Sequence, residues 1–443
     1  MTKLRPRDYL LSVQHLFAMF GATVLVPLLT GLNPSLALFS AGVGTLIFHI
    51  CTKFEVPVFL GSSFAFVPAI AAIVKSGENG SIVASKVPFA QGGIVIAGII
   101  YVLFALIAYL LGTDRIKKMF PPVVTGPVIV VIGIGLSSTA INDAFGNLSL
   151  AGGFTSAHAK NMLIALFTLA VVVACSIFAK GFFKIVPILI GIASGYLLCV
   201  ILSLFGVFEM DYSAVKSAAE NAWLGILNIP YVTKDSNGVQ FMSIPKFDLG
   251  IILSIAPIAL VTFMEHIGDI TTNGAVVGKD FLKEPGLHRT LLGDGLATLF
   301  AGFAGGPPNT TYSENTGVLA TTKNYSPRLL RVTAVFAIIL GLIAPFGAAL
   351  QTIPSCVKGG VEIMLFGMIA AIGIRTLAEA NLDFTHSRNL IIVALILVCG
   401  LGIGGLGGIN VNFGDQTLNI SGLFVAVVVG VLTNLILPQA EDK

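Results

Sequence analysis

Long apolar runs alternate with short polar punctuation along almost the whole chain. A helix needs about 20 apolar residues to cross hydrocarbon, and fewer where Gly or Pro breaks it. Taken between polar clusters, the runs predict fourteen spans, at 9–30, 34–52, 54–75, 89–111, 121–140, 161–179, 184–206, 249–270, 288–304, 308–322, 327–350, 358–377, 388–405 and 420–437. The polar stretch 208–248 separates two sets of seven. Seven is odd, so residues 1–207 and 249–443 must run in opposite senses, as inverted repeats do.

Two interrupted spans occupy the third place of each set. One contains EVPVFLGSSFAFVPAI and the other AGGPPNTTYSENTGV. Each places Pro or Gly, then Ser/Thr with an aromatic (Ser62-Ser63-Phe64; Thr310-Thr311-Tyr312), ahead of a short apolar helix. Corresponding broken spans point to a transport site. A helix that starts in mid-membrane leaves backbone N–H groups free at the positive end of its dipole. The backbones of Phe64, Tyr312 and Ser313 are therefore candidate donors to a carbonyl oxygen or an anion.

Composition agrees with an all-α polytopic membrane protein. Of 443 residues, 55% are hydrophobic and 11% charged, with mean hydropathy +0.94, against about 25% charged in a soluble domain. A net charge of +3 with no basic patch excludes a nucleic-acid partner. With the N-terminus cytoplasmic, eighteen of the 25 lysines and arginines fall in inner connections. The other seven (Lys75, Lys86, Lys160, Lys216, Lys234, Lys246 and Lys358) fall outside. That bias fits an even number of spans and cytoplasmic termini. The five cysteines have neither disulfide nor zinc spacing and read as small buried hydrophobes. The basic, apolar N-terminus is too long for a signal peptide and is expected to stay as the first span.

Against this background the acidic residues inside spans stand out. An acidic side chain at the centre of a membrane helix costs roughly 2.5–3.5 kcal/mol on insertion scales. Glu265 and Asp269, four residues apart, share a helix face, and Glu314 opens the half-helix after Tyr312. A carboxylate accepts N–H donors when ionised and carries a proton when neutral. Glu265 and Glu314 are thus expected to clasp a small polar ring. Gln14, His15, His49 and Asp294 are expected to bond across helices, with His15 also able to tune a nearby carboxylate. Glu362, Arg375, Glu379 and Asp383 are expected at the interface. No P-loop, Rossmann fingerprint, HExxH or GxSxG occurs, so ATP-driven pumping and hydrolysis lack their parts, and no metal or cofactor is implied. An anion channel or exchanger remains a second reading, disfavoured because acidic groups facing the site would repel a bare anion.

These residues resemble the nucleobase–ascorbate transporter family, and within it the bacterial uracil permeases. Glu314-Asn315-Thr316-Gly317, then Val318 to Thr321 and Thr322-Lys323, fit the family signature Glu/Gln-Asn-x-Gly-x4-Thr-Lys/Arg. QHLFAMFGATVLVP (14–27), FLGSSFAF (59–66), EHIG (265–268), EPGLHR (284–289) and PNTTYSEN (308–315) look like uracil-permease sequence. The resemblance covers nearly the whole chain. It implies a core (spans 1–4 and 8–11), a gate (spans 5–7 and 12–14), short antiparallel strands in spans 3 and 10, and proton coupling in a homodimer. It also implies that Glu265 and Glu314 bind the pyrimidine, that Phe64 and Ser313 meet its carbonyls through their backbones, and that Ala22, Tyr312 and Phe366 line the pocket. Glu314 speaks for uracil, because xanthine-type members typically carry Gln there. Asp269 departs from the pattern, since the uracil permeases have His at that place.

Overall fold

The computed structural model describes residues 6–438, apart from 78–81, 113–114, 116–119, 147–152, 214, 217–229, 236–237, 242–243 and 414–415. Much of the expected outer connection, and the termini with Lys3, Arg5 and Lys443, lie outside the described residues.

The apolar runs become helices close to the expected limits. The first half comprises α1 (Pro6–Thr30), α2 (Pro34–Cys51), β1 (Leu60–Ser62), α3 (Val67–Val74), α4 (Val87–Leu111), α5 (Pro122–Gly135), α6 (Ser137–Phe145), α7 (Ser156–Phe178) and α8 (Pro187–Leu204). Two short strands, β2 (Pro230–Asp235) and β3 (Gly238–Phe241), lie in the connection. The second half comprises α9 (Leu249–Ile255), α10 (Ala259–Val277), α11 (Leu287–Ala304), β4 (Asn309–Thr311), α12 (Ser313–Thr322), α13 (Pro327–Leu342), α14 (Ala344–Gln351), α15 (Ser355–Glu379), α16 (Ser387–Gly405), a hairpin β5–β6 (Ile409–Phe413 and Gln416–Ile420) and α17 (Gly422–Ile436). Nine helical segments among the described residues are long and apolar enough to span a membrane, and shorter apolar helices follow β1 and β6. The fold is a polytopic helical membrane protein whose broken spans hold short strands.

Packing sorts these elements into two groups. In one, α11 lies between α2 and α4, and α13 runs along α2 and α1. The approach of α4 to α11 depends on glycine: a Cβ at Gly98 would stand 2.6 Å from the backbone nitrogen of Leu299. In the other, α15 packs on α5, α6 and α7, and α16 packs on α17 and α5. Helix α10 touches both, meeting α4 and α11 on one side and α5 and α17 on the other.

The two broken spans meet between the halves of the chain. β1 pairs antiparallel with β4, Leu60 opposite Thr311 and Ser62 opposite Asn309. Backbone bonds from Tyr312 N to Phe59 O (3.0 Å) and from Ser63 N to Pro308 O (2.9 Å) extend the ladder. A two-stranded ribbon has two open edges, and unsatisfied backbone groups are costly away from water. Buried polar side chains close them. Thr45 Oγ1 accepts from Leu60 N (2.9 Å), and His49 Nε2 lies 2.9 Å from Val58 O. Thr298 Oγ1 donates to Asn309 O (3.0 Å), and Asn273 Nδ2 donates to Pro57 O (3.1 Å). His49 therefore serves the extended segment before β1 and not the expected neighbouring helix.

Asn309 ties the ribbon to two helices at once. Its Nδ2 donates to Ser40 O and to Ala297 O, both at 3.2 Å. Asn309→Ala leaves two buried carbonyls without that donor, a loss of about 2–3 kcal/mol for the pair. The variant is expected to melt several degrees below the parent in detergent, read by tryptophan-independent thermal aggregation. An unchanged melting temperature would show that the ribbon does not depend on this anchor.

One expectation about charge fails. Glu362 does not sit at the interface; it is fully buried within α15. It lies one turn before Phe366 on the buried face of the helix, which packs on α5 to α8, and the apolar periodicity there hides it from water. Arg375, Glu379 and Asp383 are exposed as expected, with Arg375 3.6 Å from Glu379 and Asp383 3.5 Å from His386.

Candidate substrate site

The β1–β4 ladder fixes where the two short helices begin. After Ser62 the chain turns through Ser63 into a helical turn at Phe64, and after Thr311 it turns through Tyr312 into α12. Neither N-cap residue caps its helix with a side-chain bond. Both helix starts thus bring backbone N–H groups and positive dipole ends to one locus, but the expected Tyr312 donor is spent: its N–H bonds Phe59 O in the ladder (3.0 Å), which leaves Phe64 and Ser313. The Tyr312 hydroxyl donates to Ser62 O (2.9 Å), locking the two junctions together.

Glu265 and Asp269 come from α10, and Glu314 from the first turn of α12, which α10 contacts. Charges on Asp269, Asp294 and Glu314 all lie within electrostatic range of Glu265. Each of Glu265, Asp269 and Glu314 is partly accessible. Thr311 Oγ1 donates to Asp269 Oδ2 (2.7 Å), so one oxygen of that carboxylate is already held. Glu265 Oε2 is buried with no hydrogen-bond partner among the described residues.

An apolar wall faces these groups. Ala22, Phe64, Tyr312 and Phe366 belong to one buried cluster, and the rings of Phe64 and Phe366 meet edge-on at 5.8 Å. From the carboxylates, a stripe of small and hydroxyl residues stays accessible along both helices: Gly268, Thr271 and Thr272 on α10, and Ser313, Gly317 and Ala320 on α12. A Cβ on Gly268 or Gly317 would meet nothing within 4 Å, so the space beside them is open. The stripe leads to the end of the molecule that carries the start of α1, where Ser12 Oγ donates to Leu329 O (3.0 Å). A separate pocket of about 320 Å³ lies farther along α10, lined by Ile270, Gly274, Lys279 and Phe281; it does not include the carboxylates.

The structure therefore gathers Glu265, Asp269, Glu314, Ser313, Tyr312, Phe64, Ala22 and Phe366 around the strand crossing. His15 is placed differently. It is buried, and Asn315 Nδ2 donates to its backbone oxygen (3.0 Å) and lies 3.2 Å from its Nδ1. Among the described residues, His15 reaches the clasp through Asn315, the residue after Glu314. Asp294 pairs with His266 Nδ1 at 2.9 Å, both fully buried. Sequence reasoning missed the His266 partner, the Thr311–Asp269 bond and the Asn315 anchor. Only adjacency to the broken spans could have signalled them.

A family profile described as "Permease family" (Xan_ur_permease) matches residues 7–406. The chain belongs to this permease family. The permease is 41% identical to the uracil permease of Bacillus subtilis (strain 168) over 98% of its own length and 93% of that protein. It is 38% identical to the uracil permease of Escherichia coli (strain K12), over 96% and 90%. Among solved structures, it superposes on the transmembrane domain of the cyanobacterium bicarbonate transporter BicA with a TM-score of 0.61 at 16% identity, covering 97% of each chain. The murine Slc26a9 anion transporter in the inward-facing state gives a TM-score of 0.68 at 11% identity, covering 98% of this chain and 69% of that one. At such identities the structural likeness speaks to fold alone. The permease is a membrane transporter.

Proposed function

We propose that the permease takes up uracil together with a proton, by alternating access. The observation that carries this reading is the convergence of two uncapped helix starts with Glu265 and Glu314 at the β1–β4 crossing. Uracil alternates N–H donors and C=O acceptors around one flat ring. Carboxylates suit its N–H groups, and backbone N–H groups suit its oxygens. Glu265 and Glu314 accept from the ring, while the backbones of Phe64 and Ser313 donate to it. Tyr312, Ala22 and Phe366 supply the apolar slot.

Proton coupling follows from the same groups. Three carboxylates within electrostatic range of one another cannot all stay ionised in an apolar setting. Binding with a proton on Glu265 relieves that repulsion. Asp269, half-held by Thr311, and His15, acting through Asn315, adjust the balance. The likeness to uracil permeases supports uracil, and Glu314 in place of Gln supports it further.

In this reading the elements of spans 1–4 and 8–11 form a core that rocks against a gate of spans 5–7 and 12–14. The two halves are inverted repeats in the cell membrane, both termini are cytoplasmic, and the permease works as a homodimer. The test is uptake of labelled uracil into proteoliposomes under an imposed pH gradient, with competing nucleobases. We expect accumulation that rises as the outer pH falls and collapses with a protonophore, competed by uracil analogues and not by xanthine. Anion currents without uracil uptake would favour the anion-exchanger reading instead.

A further inference from the structure

Glu362 is a buried carboxylate that the clasp does not use. It is fully buried, and neither of its oxygens has a hydrogen-bond partner among the described residues. Three charged groups lie within electrostatic range of it: Asp143 at the end of α6, Lys358 one turn earlier on α15, and Lys75 after α3. Lys358 and Asp143 form a largely buried pair at 3.7 Å. Lys75 Nζ donates to Leu28 O (3.3 Å), which places the cluster at the end of the molecule opposite the start of α1.

The cluster joins two packing groups. Lys75 follows α3, which packs on α1, α4 and α9, whereas Asp143, Lys358 and Glu362 belong to α6 and α15, which pack on each other. Phe64 and Phe366 meet across the same boundary, and Phe366 is one turn beyond Glu362. From the clasp, the path is open along Gly268 and Gly317 and shut behind the Phe64–Phe366 contact.

We propose that Glu362 is a second proton site, separate from the clasp, whose protonation closes the end of the path away from the N-terminus. This rests on the transport reading above and adds a gate to it. Burial without a hydrogen-bond donor disfavours the ionised carboxylate. When the Lys75 side parts from the α6–α15 side, water reaches Glu362 and it ionises beside Lys358. Closing that end takes up a proton and reopening it returns the proton to the same side, so it gates the cycle without adding to the charge carried. The closed form binds the extra proton and is therefore favoured as pH falls.

Among the described residues, no other charged group acts on Glu362 from the helices packed on α15. α5 carries none; on α8 the Tyr196 hydroxyl bonds Thr352. On α7, His158 and Lys160 bond Thr155 and Val207 at its exposed start.

The test reads accessibility of the open stripe and needs no uracil. In full-length protein in liposomes, with Cys51, Cys175, Cys199, Cys356 and Cys399 changed to Ala, Ala320→Cys reports the cleft. Its modification by a membrane-impermeant maleimide, scaled to the rate in SDS-unfolded protein, is followed from pH 8 to pH 6. With Glu362 present, the scaled rate rises as pH falls, by at most about tenfold per pH unit for one proton. Glu362→Gln gives the fast low-pH rate throughout, and Glu362→Asp keeps the pH dependence. A Glu362→Gln protein that still follows pH, or a parent that does not, overturns the proposal. Uracil binding in detergent, which Glu362→Gln retains and Glu265→Gln weakens by one to two orders of magnitude, reports folding and keeps failure of the clasp distinct from failure of the gate.

Discussion

Glu265→Gln is expected to abolish accumulation of uracil against its gradient. One positive charge moving inward gains about 2.3 kcal/mol per 100 mV, enough for roughly fortyfold accumulation at 1.4 kcal/mol per tenfold. Glutamine has nearly the shape of the acid but carries no proton, and its amide presents N–H groups where the ring presents its own. Losing a hydrogen bond to a charged acceptor costs about 1.5–3 kcal/mol, so binding weakens by one to two orders of magnitude as well. The measurement is the ratio of labelled uracil inside and outside proteoliposomes at equilibrium under a fixed potential. A ratio near unity is expected. A ratio like the parent's would move the coupling proton to another group.

The second large effect is steric. A Cβ on Gly61 would run into the Tyr312 ring and stand 2.8 Å from Thr23 Oγ1. Tyr312 cannot retreat without losing the bond from its hydroxyl to Ser62 O. Gly61→Ala therefore pushes apart the two junctions whose N–H groups serve the ring. Uracil affinity should fall at least tenfold, the equivalent of about 1.4 kcal/mol, while the folded protein persists. Isothermal titration in detergent reads the affinity, and size-exclusion chromatography reads the fold. Affinity equal to the parent's would mean that the spacing of the helix starts is not set by Tyr312.

Much of the architecture was legible in the sequence because lipid imposes one rule on every span. Apolar length gave the helices, the Pro/Gly-Ser-aromatic breaks marked the starts of the short helices, and the family resemblance implied the strands β1 and β4. Glu265, Asp269 and Glu314 were visible because ionisable groups are rare in such runs. What stayed hidden depends on contacts distant in sequence. Thr45, Asn273 and Thr298 look like ordinary polar residues until the ribbon edges they serve are seen. Glu362 was misplaced because its position near a predicted span end says nothing about which face of α15 turns inward. His266 and Asp294, 28 residues apart, join only because α10 and α11 fold back on each other.

The ribbon also constrains how the protein comes into being. Its first strand belongs to residues 60–62 and its partner to residues 309–311. A ribosome finishes the former nearly 250 residues before the latter. During that interval the upstream segment has no mate inside the bilayer, and must shelter against α2 or in the insertion machinery. Assembly thus includes a backward-reaching event: the tenth span completes the third.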